Sequence, residues 1–231
     1  MHRRTLLRAA LVAGIGVVTG TLASGCTPEA PRASPRPPDA DATPRPLGTE
    51  TVTPSTRPRV LLAYFSRAGE NYHYGDTVDL EVGNTQVVAD MIAGLIPVEV
   101  YRIEASDPYP HEYGATVDRN VREQNADARP AIAAPLPDVS VYDVVLLGSG
   151  IWNVRPPMIM STFAEGVDLA GKTVHPFVTF AVSRLGRTVE VYERLLPDAR
   201  IGDALAVQGE EARSAGTQVE TWLNTIGLRG T

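Results

Sequence analysis

The chain has 231 residues, 43% hydrophobic content, 19 prolines and a formal net charge of −6. The length can bury a sizeable core, and the acidic balance (about −9 without Arg3, Arg4 and Arg8) argues against a nucleic-acid binder, leaving small molecules or basic protein faces as the expected partners. A lone cysteine, Cys26, excludes an internal disulfide framework, and His2, His73, His111 and His175 lack metal-ligand spacing, so no catalytic or metal residue is assigned.

Residues 1–26 have a basic start, an apolar run and a small-residue end, the layout of an export signal. Arg3-Arg4 resembles a twin-arginine signal, which exports folded proteins; a general secretory signal is the plainer alternative. The end, Leu22-Ala23-Ser24-Gly25-Cys26, resembles a lipoprotein box, with Cys26 as the lipidated residue and a membrane anchor as the consequence. An incidental free cysteine is the other reading. Residues 27–58 read as a disordered, proline-rich tether, because large apolar side chains are nearly absent and nothing offsets the entropy of ordering.

The folded domain is expected over residues 59–228. Arg59–Ser66, Tyr142–Gly150 and Lys172–Phe180 are unbroken apolar runs, and Asp203–Gly209 is a weaker one. Such runs imply strands buried on both faces, hence a parallel sheet under helices. Ile96–Ala105 alternates and suits an edge strand. Helices are expected over Thr85–Leu95, Glu112–Ala126, Met158–Glu165, Thr188–Leu195 and Glu210–Ile226. The alternation predicts a doubly wound α/β three-layer sandwich. Pro176 makes the third apolar run the least secure strand.

In such sheets ligands sit beyond the carboxyl ends of the strands. Ser66 ends the first strand, and Gly83-Asn84-Thr85 opens the first helix. A hydroxyl, a glycine permitting close approach and free helix-terminal N–H groups suit an anion. Taken alone, Asn84 could equally be an ordinary N-cap.

Several stretches resemble one family. "AYFSRAGENY…VGNTQVVADMI" is similar to flavodoxin-like proteins, in the branch where a polar insertion splits the phosphate loop of FMN. "DPYPHEYGATVDRNVREQNADARPAI", "VVLLGSGIWNVRPPMIMSTF" and "PFVTFAVSRLGRTVEVYERLLPDA" resemble its later motifs. The resemblance implies a five-stranded parallel sheet in the order 2-1-3-4-5. It implies that Ser66, Arg67, Gly69, Asn71, Gly83, Asn84 and Thr85 surround the FMN phosphate. Gly150, Ile151, Trp152 and Asn153 would line one side of the flavin ring, and Ser183, Arg184, Leu185 and Gly186 the other. Trp152 is the stacking candidate, with an ordinary packed tryptophan as the alternative. Ser149-Gly150, Trp152-Asn153 and Val182-Ser183-Arg184 depart from the family's aromatic and glycine-rich patterns at the ring. The implied function is an exported FMN-binding electron-transfer protein with an unknown redox partner and an acidic rim that lowers the flavin potential. Alternatives are a flavin-dependent NAD(P)H/quinone reductase, in which Arg155, Arg184 and Arg187 would meet a nicotinamide phosphate unless they are simply solvated, and a non-catalytic binding protein on the same fold.

Overall fold

The computed structural model describes residues 57–229. The expected export signal, Cys26 and nearly all of the tether lie outside the described residues.

The central sheet forms where the sequence is most apolar. Strand β1 (Val60–Phe65) is buried at every position. Two strands outside this sheet, β2 (Gly69–His73) and β3 (Asp76–Leu80), and helix α1 (Asn84–Leu95) follow, then β4 (Glu99–Ile103), α2 (Tyr113–Asn125), β5 (Val144–Gly150), α3 (Met158–Gly166), β6 (Thr173–Phe180) and α4 (Thr188–Leu195). Two short strands, β7 (Arg200–Ile201) and β8 (Leu205–Gln208), a 3-10 turn (Gly209–Ser214) and α5 (Gly216–Thr225) complete it. All central pairings are parallel, in the order β4-β1-β5-β6, with β7 and β8 both on the far edge of β6. Counted by position, this is the expected order 2-1-3-4-5, its last position filled by two consecutive short strands.

Alternate residues of each strand feed opposite layers. Leu62 and Tyr64 pack with Val88 and Ile92 of α1 and with Val219, Trp222 and Leu223 of α5. Leu61, Ala63 and Phe65 pack with Ile159, Met160 and Phe163 of α3 and with Tyr192 of α4. The result is the three-layer sandwich. Gly148 is required in β5, because a Cβ there would lie 2.0 Å from the Phe177 ring.

Pro176 sits inside β6 without breaking it. The Gly202 N–H donates to Val174 O, so even-numbered residues of β6 face the β7/β8 edge. β7 pairs with Thr173–Val174 and β8 with Phe177–Phe180. The missing N–H of Pro176 therefore points into the gap between the two short strands, where no ladder bond is needed.

Two features depart from the expected elements. The polar segment after β1 is an antiparallel hairpin, β2 (Gly69–His73) with β3 (Asp76–Leu80). Its two-residue turn, Tyr74-Gly75, has φ of 48° and 96°. The expected last helix begins instead as the 3-10 turn: Gly209 lies so close to Asn84 that a Cβ would be 2.8 Å from Asn84 Nδ2.

Candidate functional site

The tip of β1 and the mouth of α1 meet. The Gln86 N–H donates to Ser66 Oγ at 3.1 Å. Gly83 precedes the helix, and a Cβ there would lie 2.3 Å from Arg67 O and 2.4 Å from Ser66 Oγ. Only glycine permits that approach. Asn84 is the first helical residue and makes no side-chain cap. The capping is supplied by Ser66 from the neighbouring strand, which settles the local role of Asn84 against the ordinary N-cap. The Asn84 and Thr85 N–H groups remain without a helical partner. Thr85 Oγ1 is 2.7 Å from Thr179 Oγ1, tying the helix mouth to the end of β6.

A cavity of about 390 Å³ opens at this point. Its wall includes Ser66, Arg67, Asn71, Asn84 and Thr85, then Gly150, Ile151, Trp152 and Asn153 beyond β5. Phe180 and Ala181 come from the end of β6, and Tyr113, Thr116, Val117, Asn120 and Val121 from α2.

The hairpin holds one side of the cavity. At its base the Glu70 carboxylate accepts the Tyr113 N–H at 3.0 Å, a stabilising charge at the start of α2. Gly69 has φ 89°, and a Cβ there would lie 2.8 Å from His111 O. Arg67 Nη1 donates to the Pro110 and His111 carbonyls, both at 2.9 Å, and Nη2 donates to Glu70 O. Burial lowers the Arg67 pKa. Asn71 Nδ2 donates to Gly69 O at 2.8 Å. At the hairpin tip, Tyr74 N–H and O–H donate to Glu210 and Glu211 at 3.0 and 2.6 Å.

Trp152 is fixed by its neighbours. Its ring meets Phe65 edge-on at 5.6 Å and Tyr109 at 5.0 Å. The Tyr109 hydroxyl donates to Glu123 at 2.8 Å, and the Arg119 guanidinium lies 4.0 Å from the Tyr109 ring centre. Burial, then that carboxylate, pushes the Tyr109 pKa up. Gln124 Nε2 donates to Trp152 O at 3.0 Å, and Asn153 Nδ2 donates to Gln124 Oε1 at 2.8 Å. Asn153 and Val154 have φ of 50° and 60° in a tight turn closed by Trp152 and Arg155.

The flavodoxin family profile matches residues 59–226. The chain belongs to the flavodoxin family. No curated protein matches the sequence. Among solved structures, this flavodoxin-family chain is similar to a candidate flavoprotein of Bacteroides eggerthii DSM 20697. The two share 28% identity and a TM-score of 0.61, over 75% of this chain and all (100%) of that one. A second candidate flavoprotein, from Bacteroides uniformis ATCC 8492, shares 25% identity and a TM-score of 0.60, over 73% of this chain and 99% of that one. A Lactobacillus acidophilus NCFM flavoprotein in complex with FMN has a TM-score of 0.53 at 18% identity, over 71% and 98% of the two chains, and supports the fold alone.

Within this flavodoxin fold, the expected residues divide. Ser66, Arg67, Asn71, Asn84, Thr85, Gly150, Ile151, Trp152 and Asn153 share the cavity wall. Gly69 and Gly83 stand behind it, shaping backbone approach. Ser183, Arg184, Leu185 and Gly186 are not on that wall. They form a turn, with Arg184 at φ 49°, and Gly186 abuts Val154 O, 2.3 Å from where a Cβ would sit. Phe180 and Ala181, just before them, take the cavity position. The α2 residues went unassigned in the sequence. Their signal is two exposed valines, Val117 and Val121, one turn apart on an otherwise polar helix.

Proposed function

We propose that the chain is an exported, FMN-binding electron-transfer protein. The observation that carries this reading is the Ser66–Gln86 bond, which with Gly83 makes one anion cradle from the strand tip and the helix mouth. The residues fit FMN. Ser66 Oγ spends a lone pair on Gln86 and keeps its own hydrogen for an acceptor. The Asn84 and Thr85 N–H groups add backbone donors and the positive end of α1. The cavity volume lies within the range of about 300–1,000 Å³ for small-molecule sites. Arg67 keeps its Nη groups on carbonyls, so its part is to hold the hairpin against the loop before α2. Trp152 offers an aromatic surface held in place by Phe65 and Tyr109, and Val117 and Val121 exclude water on the α2 side. FMN, when bound, supplies reversible electron transfer, while the protein sets its access and potential.

The wall favours a carrier over a reductase that must move protons. Its charged side chains are Arg67, tied to carbonyls, and Glu210, which accepts the Tyr74 N–H. The FMN named for the Lactobacillus neighbour supports the cofactor class. The hairpin between β1 and α1 supports the insertion-bearing branch of the family. Twin-arginine export suits a protein that binds its cofactor before export, and acylation of Cys26 would leave the domain on a tether over residues 27–58.

The test is titration of the purified chain with FMN, followed by absorption and flavin fluorescence. Stoichiometric binding supports the reading. Sustained NAD(P)H oxidation with a quinone would replace it by the reductase. Radiolabelled fatty acid incorporated into the wild type and absent from Cys26→Ala supports the anchor; equal labelling of the two rejects it.

A further inference from the structure

The loops 152–155 and 182–187 are joined beside the cavity. The Arg187 N–H donates to Val154 O at 2.8 Å, and Gly186 packs on the same carbonyl. The joint gathers cations. Arg155 closes the tight turn after Trp152, and Arg184 and Arg187 leave the second loop. Arg194 lies two turns along α4 on the same face as Arg187. Among the described residues, none of these four arginines has a carboxylate within ion-pair distance. The Arg155 Nε is buried with no hydrogen-bond partner. Burial, then the fields of Arg194 and Arg187, hold the Arg155 pKa below its usual value, with Asp127 opposing. Asp127 is itself engaged by Arg129, which also binds Glu165.

Two apolar side chains stand exposed in the same loops, Val182 at 77% and Val154 at 45%. Asp127 and, one turn from both Arg187 and Arg194 on α4, Glu190 bring negative charge to the joint but form no ion pair with these four arginines, so a positive excess remains around the exposed valines. Apolar residues ringed by arginines are the anatomy of a protein contact. None of the four arginines is on the cavity wall. The chain as a whole is acidic, at −6, so this rim reverses the sign its composition suggests. It also replaces the acidic rim expected beside the ring loops.

We propose that Arg155, Arg184, Arg187 and Arg194, around Val154 and Val182, dock the acidic face of a partner protein beside the cavity mouth. That the partner exchanges electrons rests on the FMN reading; the docking itself does not. The docked face lies next to Trp152 and Asn153, which places the partner within short range of the cavity.

The probe is a fluorescein-labelled, glutamate-rich peptide containing leucines, with a lysine-rich peptide of the same length as control. Anisotropy is followed with the full chain, with and without FMN. The glutamate peptide is expected to bind, with affinity that falls as salt rises. R187E/R194E, both at exposed positions, should weaken binding about tenfold or more. R122E/R200E makes the same charge change elsewhere and should leave binding within about twofold. Equal losses in the two pairs, or no preference for the glutamate peptide, would overturn the proposal. Displacement of the peptide by stoichiometric inorganic pyrophosphate would also overturn it, in favour of a small-phosphate site. FMN affinity is measured in the same samples. A chain that binds the peptide through these arginines but ignores FMN keeps the docking surface and loses the electron-transfer reading.

Discussion

Ser66 Oγ accepts the Gln86 N–H at 3.1 Å across 20 residues of chain. The bond crosses the base of the β2–β3 hairpin, so the hairpin is looped out and the two halves of the cradle remain adjacent. Removing the hydroxyl should act on both stability and ligand. Ser66→Ala should cost about 1 kcal/mol, as loss of a helix cap does, and weaken FMN binding by about tenfold. Gly83→Ala should be worse, since its Cβ must displace Arg67 O. Urea denaturation and FMN titration read the two effects separately.

Trp152 should matter to the ligand more than its neighbours do. Trp152→Ala removes the aromatic surface and the edge contacts that Tyr109 and Phe65 make with it, leaving only their contact with each other. A loss of FMN affinity of about tenfold to a hundredfold is expected, in the range of stacking on an aromatic side chain. Trp152→Phe should restore most of it. Unchanged affinity in the alanine variant would favour a non-catalytic protein on the same fold.

Val154 is the most strained residue of the site. A β-branched side chain at φ 60° is rare, and left-handed non-glycine residues cost about 1–2 kcal/mol. Val154→Gly creates the Asn-Gly pair that such turns favour. Thermal denaturation should show a rise in Tm, corresponding to about 1 kcal/mol. A fall would mean that Val154 packing outweighs the backbone strain.

His175 gives the fold a pH dependence. Burial holds its pKa below 6.5, and its Nδ1 lies 3.1 Å from Asp203 O. The unfolded chain gains a proton near pH 6.5, whereas the folded chain resists it. Stability attributable to His175 is therefore constant above that pH, and falls as pH drops toward the folded pKa. Urea midpoints for wild type and His175→Gln, compared between about pH 5 and 7, should show the wild type alone carrying this component. Parallel profiles would contradict it.

How much of this was legible follows from where apolar burial decides structure. Val60–Phe65 and Val144–Ser149 are strand because every position is buried, and the sequence shows that directly. Gly83-Asn84-Thr85 was legible as an anion site, but not the cap in which Ser66 Oγ accepts the Gln86 N–H, which depends on tertiary approach. The hairpin Gly69–Leu80 was hidden because neither strand has a buried apolar face; its place rests on the Tyr74-Gly75 turn, on Glu70 accepting the Tyr113 N–H and on Tyr74 donating to Glu210 and Glu211. The α2 wall was hidden because its cavity face mixes Tyr113, Thr116 and Asn120 with two valines. Arg155, Arg184 and Arg187 were legible as cations that could meet a nicotinamide phosphate, but their gathering with Arg194 around Val154 and Val182 was not, because it depends on the tertiary joint between two loops and α4 and is averaged away in the net charge.

The most direct measurement is the visible spectrum of the purified chain with FMN added and unbound flavin removed. Wild type should retain one flavin per chain, and Gly83→Ala and Ser66→Ala should retain less in that order of severity. A wild-type chain that stays colourless, or variants that hold flavin as tightly as the parent, would contradict the cradle on which the electron-transfer reading stands.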